Sequence, residues 1–166
     1  LQSAPTAPNT VLMPRLSVNP LGAATIAWVQ KKDLQGKQQY VMATSWLPVE
    51  NQDWDSTPWA TPKYLSTSTG LWKAQDPVVI ADGGTAFGVF WKEQDMSTVG
   101  STPRISGSIY LYQLGDAWLS GLRPGNLDNL SSALSVAANS DGKALAVWQK
   151  VGATQIYDLA ARWLPL

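Results

Sequence analysis

Ser135-Val136-Ala137-Ala138-Asn139-Ser140-Asp141-Gly142-Lys143-Ala144-Leu145-Ala146-Val147-Trp148-Gln149-Lys150 reads as a short strand, a tight polar turn, and a second strand that ends on a tryptophan. The same order of residue types occurs twice before it. Leu16-Ser17-Val18-Asn19 leads through Gly22 to Ile26-Ala27-Trp28-Val29-Gln30, and Val79-Ile80-Ala81-Asp82-Gly83-Gly84 leads to Val89-Phe90-Trp91-Lys92. The tryptophans lie 63 and then 57 residues apart. A period of that length with strands inside it is the mark of propeller blades or another β array.

Each unit opens on a short apolar strand: Leu16–Val18, Pro77–Ile80 and Ala133–Val136. Each strand runs into Asn, Asp and Gly, which tolerate the positive φ of tight hairpins. The same chemistry places Asp82-Gly83-Gly84 and Ser140-Asp141-Gly142 in turns rather than in calcium loops. The second strand is apolar on both faces, with Ala24, Ile26 and Trp28 against Thr25, Ala27 and Val29. Such a strand is buried on both sides. A third strand recurs as Tyr40–Pro48 and Tyr157–Pro165, where Tyr and Trp are six apart and so share a face. In the middle unit Ile109-Tyr110-Leu111-Tyr112 holds that place, with Trp118 beyond it. Lys63–Ser66 reads as a fourth, outer strand of the first unit.

The pattern G-x-A-x-x-x-W followed by an I-Y strand ending in Trp, carried by Gly142, Ala144, Trp148, Ile156, Tyr157 and Trp163, resembles the repeats of bacterial exported β-propeller-type proteins. The resemblance covers most of the chain, with partial copies around Trp28 and Trp91. The expected fold is therefore all-β: three repeats of three to four antiparallel strands forming blades, with a three-lobed barrel or β-sandwich as the alternative. The expected organisation is a leader, 1–13, that could serve as a closing strand, then a single domain, 14–166, of units 14–73, 74–130 and 131–166. Because propellers have four to eight blades, three units imply a homodimer completing a six-bladed ring or a place in a larger propeller.

Composition narrows function by exclusion. The chain has 166 residues, zero net charge and only 14% charged residues, which does not suit a nucleic-acid surface. Histidine and cysteine are absent, so Cys/His zinc sites and His- or thiol-based nucleophilic catalysis are excluded. No apolar run approaches the roughly 20 residues of a membrane span. No cofactor is expected. The sialidase Asp-box pattern, Ser-x-Asp-x-Gly-x-x-Trp, is not complete anywhere, and no carboxylate spacing marks a glycosidase pair.

Nine tryptophans stand out. Trp28, Trp91 and Trp148, with Tyr40, Tyr110 and Tyr157, occupy repeated positions and read as the packing framework. Trp54, Trp59, Trp72 and Trp118 fall instead in polar connectors, with Asp53 and Asp55 flanking Trp54. A rigid, amphipathic indole beside carboxylates and amides suits stacking on a sugar ring, and equally suits a subunit interface. The sequence reads as a non-catalytic binding or assembly module of an exported protein, secreted, periplasmic or at the cell surface. A glycan is the first ligand, a protein-interaction scaffold the alternative, and a glycoside-acting enzyme the remote one.

Overall fold

The structure, a computed structural model, describes residues 11–34, 37–47, 59–66, 72–82, 86–111, 117–122, 130–151 and 157–165. Within them every regular element is a strand: β1 Val11–Val18, β2 Ala24–Leu34, β3 Lys37–Leu47, β4 Lys63–Tyr64, β5 Trp72–Ala81, β6 Ala86–Asp95, β7 Arg104–Leu111, β8 Ala117–Leu122, β9 Leu130–Ala138, β10 Lys143–Val151 and β11 Tyr157–Pro165. The class is all-β, with no helix among the described residues.

The strands form three antiparallel meanders in chain order: β1 to β4, β5 to β8, and β9 to β11. One parallel bridge, Tyr40 to Lys73, joins the first two into an eight-stranded sheet, and the third is separate. Neither sheet closes on itself among the described residues. The meanders lie face to face in three layers, one more than a sandwich has. Their first strands adjoin, β1 against β5 and β5 against β9.

Two boundaries differ from the sequence expectation. Val11–Met13, grouped with the leader by composition, are the first residues of β1 and belong to the first meander. The second meander begins at Trp72 and includes β8, which falls in what reads as a connector. Ser120 and Gly121 interrupt the apolar run there and hide the strand.

The three turns share one device. Asn19 Oδ1 accepts from the N–H of Leu21 and Ala23, Asp82 Oδ1 from Ala86, and Asn139 Oδ1 from Asp141 and Lys143. The backbone N–H of each also donates to the carbonyl four residues on. This Asx geometry explains the Asn/Asp requirement without a metal. Gly22 and Gly142 follow three residues later at φ of 90° and 71°. No heavy atom would lie within 4 Å of a Cβ at Gly22, so backbone conformation rather than space selects glycine there.

Opposite Trp28 and Trp91 the first strands bulge. Met13-Pro14 and Asp76-Pro77 are the unpaired dipeptides, with φ of 54° at Met13 and 48° at Asp76. Proline cannot donate to the ladder and settles naturally at such a bulge. The tryptophans themselves face the preceding layer. Trp91 packs on Ala27, Val29 and Met42 of the first meander, and Trp148 sits with Ile80, Phe90 and Ile105 of the second. Trp91 and Trp148 are 2% and 4% exposed, whereas Trp28 is half-buried.

Register corrects one equivalence. Ala43, Ser106 and Ala160 lie opposite the three tryptophans. Tyr40 and Tyr157 therefore correspond to Pro103, and Tyr110 corresponds to Leu47. Tyr110 is buried against Trp46, their ring centroids 5.1 Å apart.

The indole N–H of Trp148 is buried without a protein acceptor. Trp148→Ala should cost about 3–5 kcal/mol, and Trp148→Phe less than half of that, since it discards no hydrogen bond; denaturant melts read both. Gly142→Ala should cost about 1 kcal/mol or more for placing a Cβ at positive φ, and Gly142→Asn less. Equal losses for Ala and Asn would show that the turn does not select for left-handed backbone.

Candidate functional site

Two polar regions flank the apolar layers. The first is the edge of β3. The Ala60 N–H donates to the Trp46 carbonyl at 2.9 Å, and Ser45 Oγ donates to the Ala60 carbonyl at 2.5 Å. Further along, the Leu65 N–H donates to the Met42 carbonyl at 2.8 Å and the Met42 N–H to Ser66 Oγ at 3.0 Å. Residues 59–66 are thus stitched to β3 at both ends. Trp59, at the start of this segment, is 37% exposed. Tyr64 is exposed as well, and Lys32 Nζ stands 3.7 Å from its ring centroid. Lys63 Nζ lies 5.3 Å from the Trp46 ring.

The second region is the end of the second meander away from its Asx turn. Lys92 and Glu93, consecutive on β6, are both buried and point to opposite faces. Lys92 Nζ pairs with Asp76 Oδ2 at 2.6 Å. Glu93 Oε2 accepts from Arg104 Nη2 at 3.0 Å, Arg104 Nε at 3.3 Å and Ser106 Oγ at 2.8 Å, while its Oε1 is buried without a partner. The Arg104 guanidinium lies over Trp72, its Cζ 3.8 Å from the ring centroid. Asp95 ends the strand. The Ser97 hydroxyl, first, and the Ser97 N–H donate to it at 2.6 and 2.8 Å and hold its carboxyl below the usual range. No group of three metal-ligating side chains forms among the described residues.

The residues marked in the sequence for ligand binding scatter in this frame. Trp59 lies on the stitched segment. Trp72 is on β5, half-buried, with one ring face occupied by Arg104. Trp118 is on β8 paired with Tyr110, not in a connector, and its side chain is outside the described residues. Trp54, Asp53 and Asp55 lie outside the described residues. Of the framework set, Trp91, Trp148 and Tyr110 are buried, Trp28 and Tyr40 half-buried, and the Tyr157 side chain is outside the described residues. Tyr64 and Glu93 are not among the candidates that the sequence marks. Glu93 lies two residues after a repeat tryptophan, but within the polar strand end Lys92-Glu93-Gln94-Asp95, which reads as solvated.

No family model matches the chain, and no curated protein matches it. Among solved structures it is similar to an α-L-arabinofuranosidase, PaAbf62A, from Podospora anserina, in complex with cellotriose. The TM-score is 0.38 with 13% identity, over 95% of this chain and 66% of the other. The chain thus spans just under two thirds of that enzyme.

Arg104→Leu would leave the buried Glu93 without its cation and should destabilise by about 3 kcal/mol, toward the lower end for a broken buried pair because the arginine side chain is 26% exposed. Adding Glu93→Gln should recover part of the loss. A urea-melt double-mutant cycle reads both, and additive losses would mean that the two side chains do not couple.

Proposed function

We propose that this chain is a non-catalytic binding module of the β-propeller type, part of an exported bacterial protein, that takes carbohydrate on the edge carrying Trp59. The observation that carries the reading is an exposed indole on a backbone pinned to β3 by both the N–H and the carbonyl of Ala60. A large, flat, amphipathic ring held in place loses little entropy when it stacks on a sugar face. The polar residues around it, Thr61 and Lys63, could serve the hydroxyls.

The propeller assignment is supported by antiparallel meanders of up to four strands whose first strands adjoin, as blades are arranged about an axis. The non-catalytic part is supported by four carboxylates that are each engaged by a neighbour. Asp76 is held by Lys92, Glu93 by Arg104 and Ser106, Asp95 by Ser97, and Asp82 by the Ala86 N–H. The low charge and high tryptophan content support an exported protein, secreted, periplasmic or at the cell surface.

Calorimetric titration with a panel of oligosaccharides and soluble polysaccharides tests the proposal. One or more should bind, and Trp59→Ala should weaken that binding at least tenfold while leaving the fold intact by circular dichroism. Binding that survives Trp59→Ala would remove the platform, and release of reducing sugar would overturn the non-catalytic assignment.

A further inference from the structure

Trp91 and Glu93 stand two apart on β6 and so share one face of the second meander, the face turned to the first. The ladder sets Ser106 opposite Trp91 and Arg104 opposite Glu93 on one side, and Ala74 opposite Glu93 on the other. Cross-strand partners share a face, so these five side chains form one patch. Trp91 and Ala74 pack there with Ala27, Val29 and Met42 of the first meander. Trp91 and Glu93 are each only 2% exposed.

Two polar atoms of opposite kind are left over in this patch. The Trp91 indole N–H has no protein acceptor, Glu93 Oε1 has no protein donor, and both are buried. A polar group is costly to bury unpaired, and buried polar groups in native proteins are nearly always satisfied. The other carboxylate oxygen is already taken by Arg104 and Ser106. Ser106 Oγ spends its hydrogen on that bond and keeps lone pairs that accept.

We infer that a single water molecule is a built-in part of this patch, accepting from the Trp91 indole N–H and donating to Glu93 Oε1 and Ser106 Oγ. Three hydrogen bonds are the usual complement of a buried water. Ala74 and Ser106 are small beside the indole and the carboxylate, which leaves room for it. Water is the occupant because both a donor and an acceptor await a partner. A bare cation would face the indole hydrogen, and no group of three metal-ligating side chains forms among the described residues. A ligand hydroxyl would have to bring its carbon skeleton to atoms that solvent does not reach. Only the second meander carries both acceptors. The places of Ser106 and Glu93 are held by Ala43 and Gln30 in the first meander and by Ala160 and Lys150 in the third. The water completes a chain from Trp91 through Glu93 and Arg104 to Trp72, tying β6 to β7 and β5. The inference rests on these buried groups and not on carbohydrate binding.

A high-resolution crystal structure of the unmodified protein should show one water about 2.7–3.2 Å from Trp91 Nε1, Glu93 Oε1 and Ser106 Oγ. In solution, the Trp91 indole proton, assigned by its loss in Trp91→Phe, should give a magnetic cross-relaxation peak with a long-lived water. Glu93→Leu combined with Arg104→Leu, which leaves neither charge alone, should abolish that peak. A direct hydrogen bond between the indole and Glu93, a crystal with no water at this place, or a water peak that survives the double substitution would each overturn the inference.

Discussion

Strand β6 is buried on both faces from Ala86 to Glu93, and the architecture follows from that burial. A strand covered on both sides needs a layer against each, and the chain supplies them from the same repeat. Phe87, Val89 and Trp91 face the first meander, while Phe90 faces the third. The bulky residues meet small ones. Trp91 has Ala27 and Ala74 in its cluster, and Trp148 has Ala144 and Ala146 beside it. Alternating large and small side chains lets layers approach to native packing density without voids. With no cysteine available, such packing and the strand ladders carry the fold.

The same burial explains the charged pairs. Lys92 and Glu93 continue β6 past Trp91, where the layers still exclude water, and a charge there needs a partner. They satisfy it on opposite faces: Lys92 reaches Asp76 on β5, and Glu93 reaches Arg104 and Ser106 on β7. The Arg104 guanidinium also lies over the Trp72 ring, so the arginine is held by both a carboxylate and an aromatic ring. An ion pair and a stack on one side chain fix its geometry more firmly than either does alone.

What was legible in the sequence was what short-range chemistry dictates. Asn19, Asp82 and Asn139 with Gly22 and Gly142 encode the hairpins because an Asx side chain and a positive φ have few substitutes. Trp28, Trp91 and Trp148 mark strands because apolar residues fill both alternating positions before them. Long-range pairing was less legible. β8 hides behind Ser120 and Gly121, since a strand on the outside of a sheet needs little apolar surface to pair. The register of β7 misleads because Tyr110 looks like Tyr40, yet the ladder places it opposite Phe87, seven positions further along the repeat. The candidate site was legible only at Trp59. The hydrogen bonds of Ala60 and the stack of Arg104 on Trp72 join residues 14 to 32 apart in sequence, and composition holds no trace of such pairs.

Asp76 shows why strain at a carboxylate is not by itself a sign of chemistry. A non-glycine residue at φ of 48° before a proline is an uncommon conformation, of the kind often kept at functional sites. Met13, however, adopts φ of 54° at the equivalent place, also before a proline and also opposite the repeat tryptophan. Methionine and aspartate share no chemistry, so the conformation belongs to the bulge and not to the side chain. The bulge lifts two residues out of the ladder in the first strand of each of the first two meanders. Aspartate at that position in the second meander then finds Lys92 within 2.6 Å, because Lys92 follows the tryptophan that the bulge faces. In the first meander Val29 stands where Lys92 does, so the repeat supplies no lysine at that place. The pairing of Asp76 with Lys92 is thus a local solution to a buried lysine, placed where the repeat already bends.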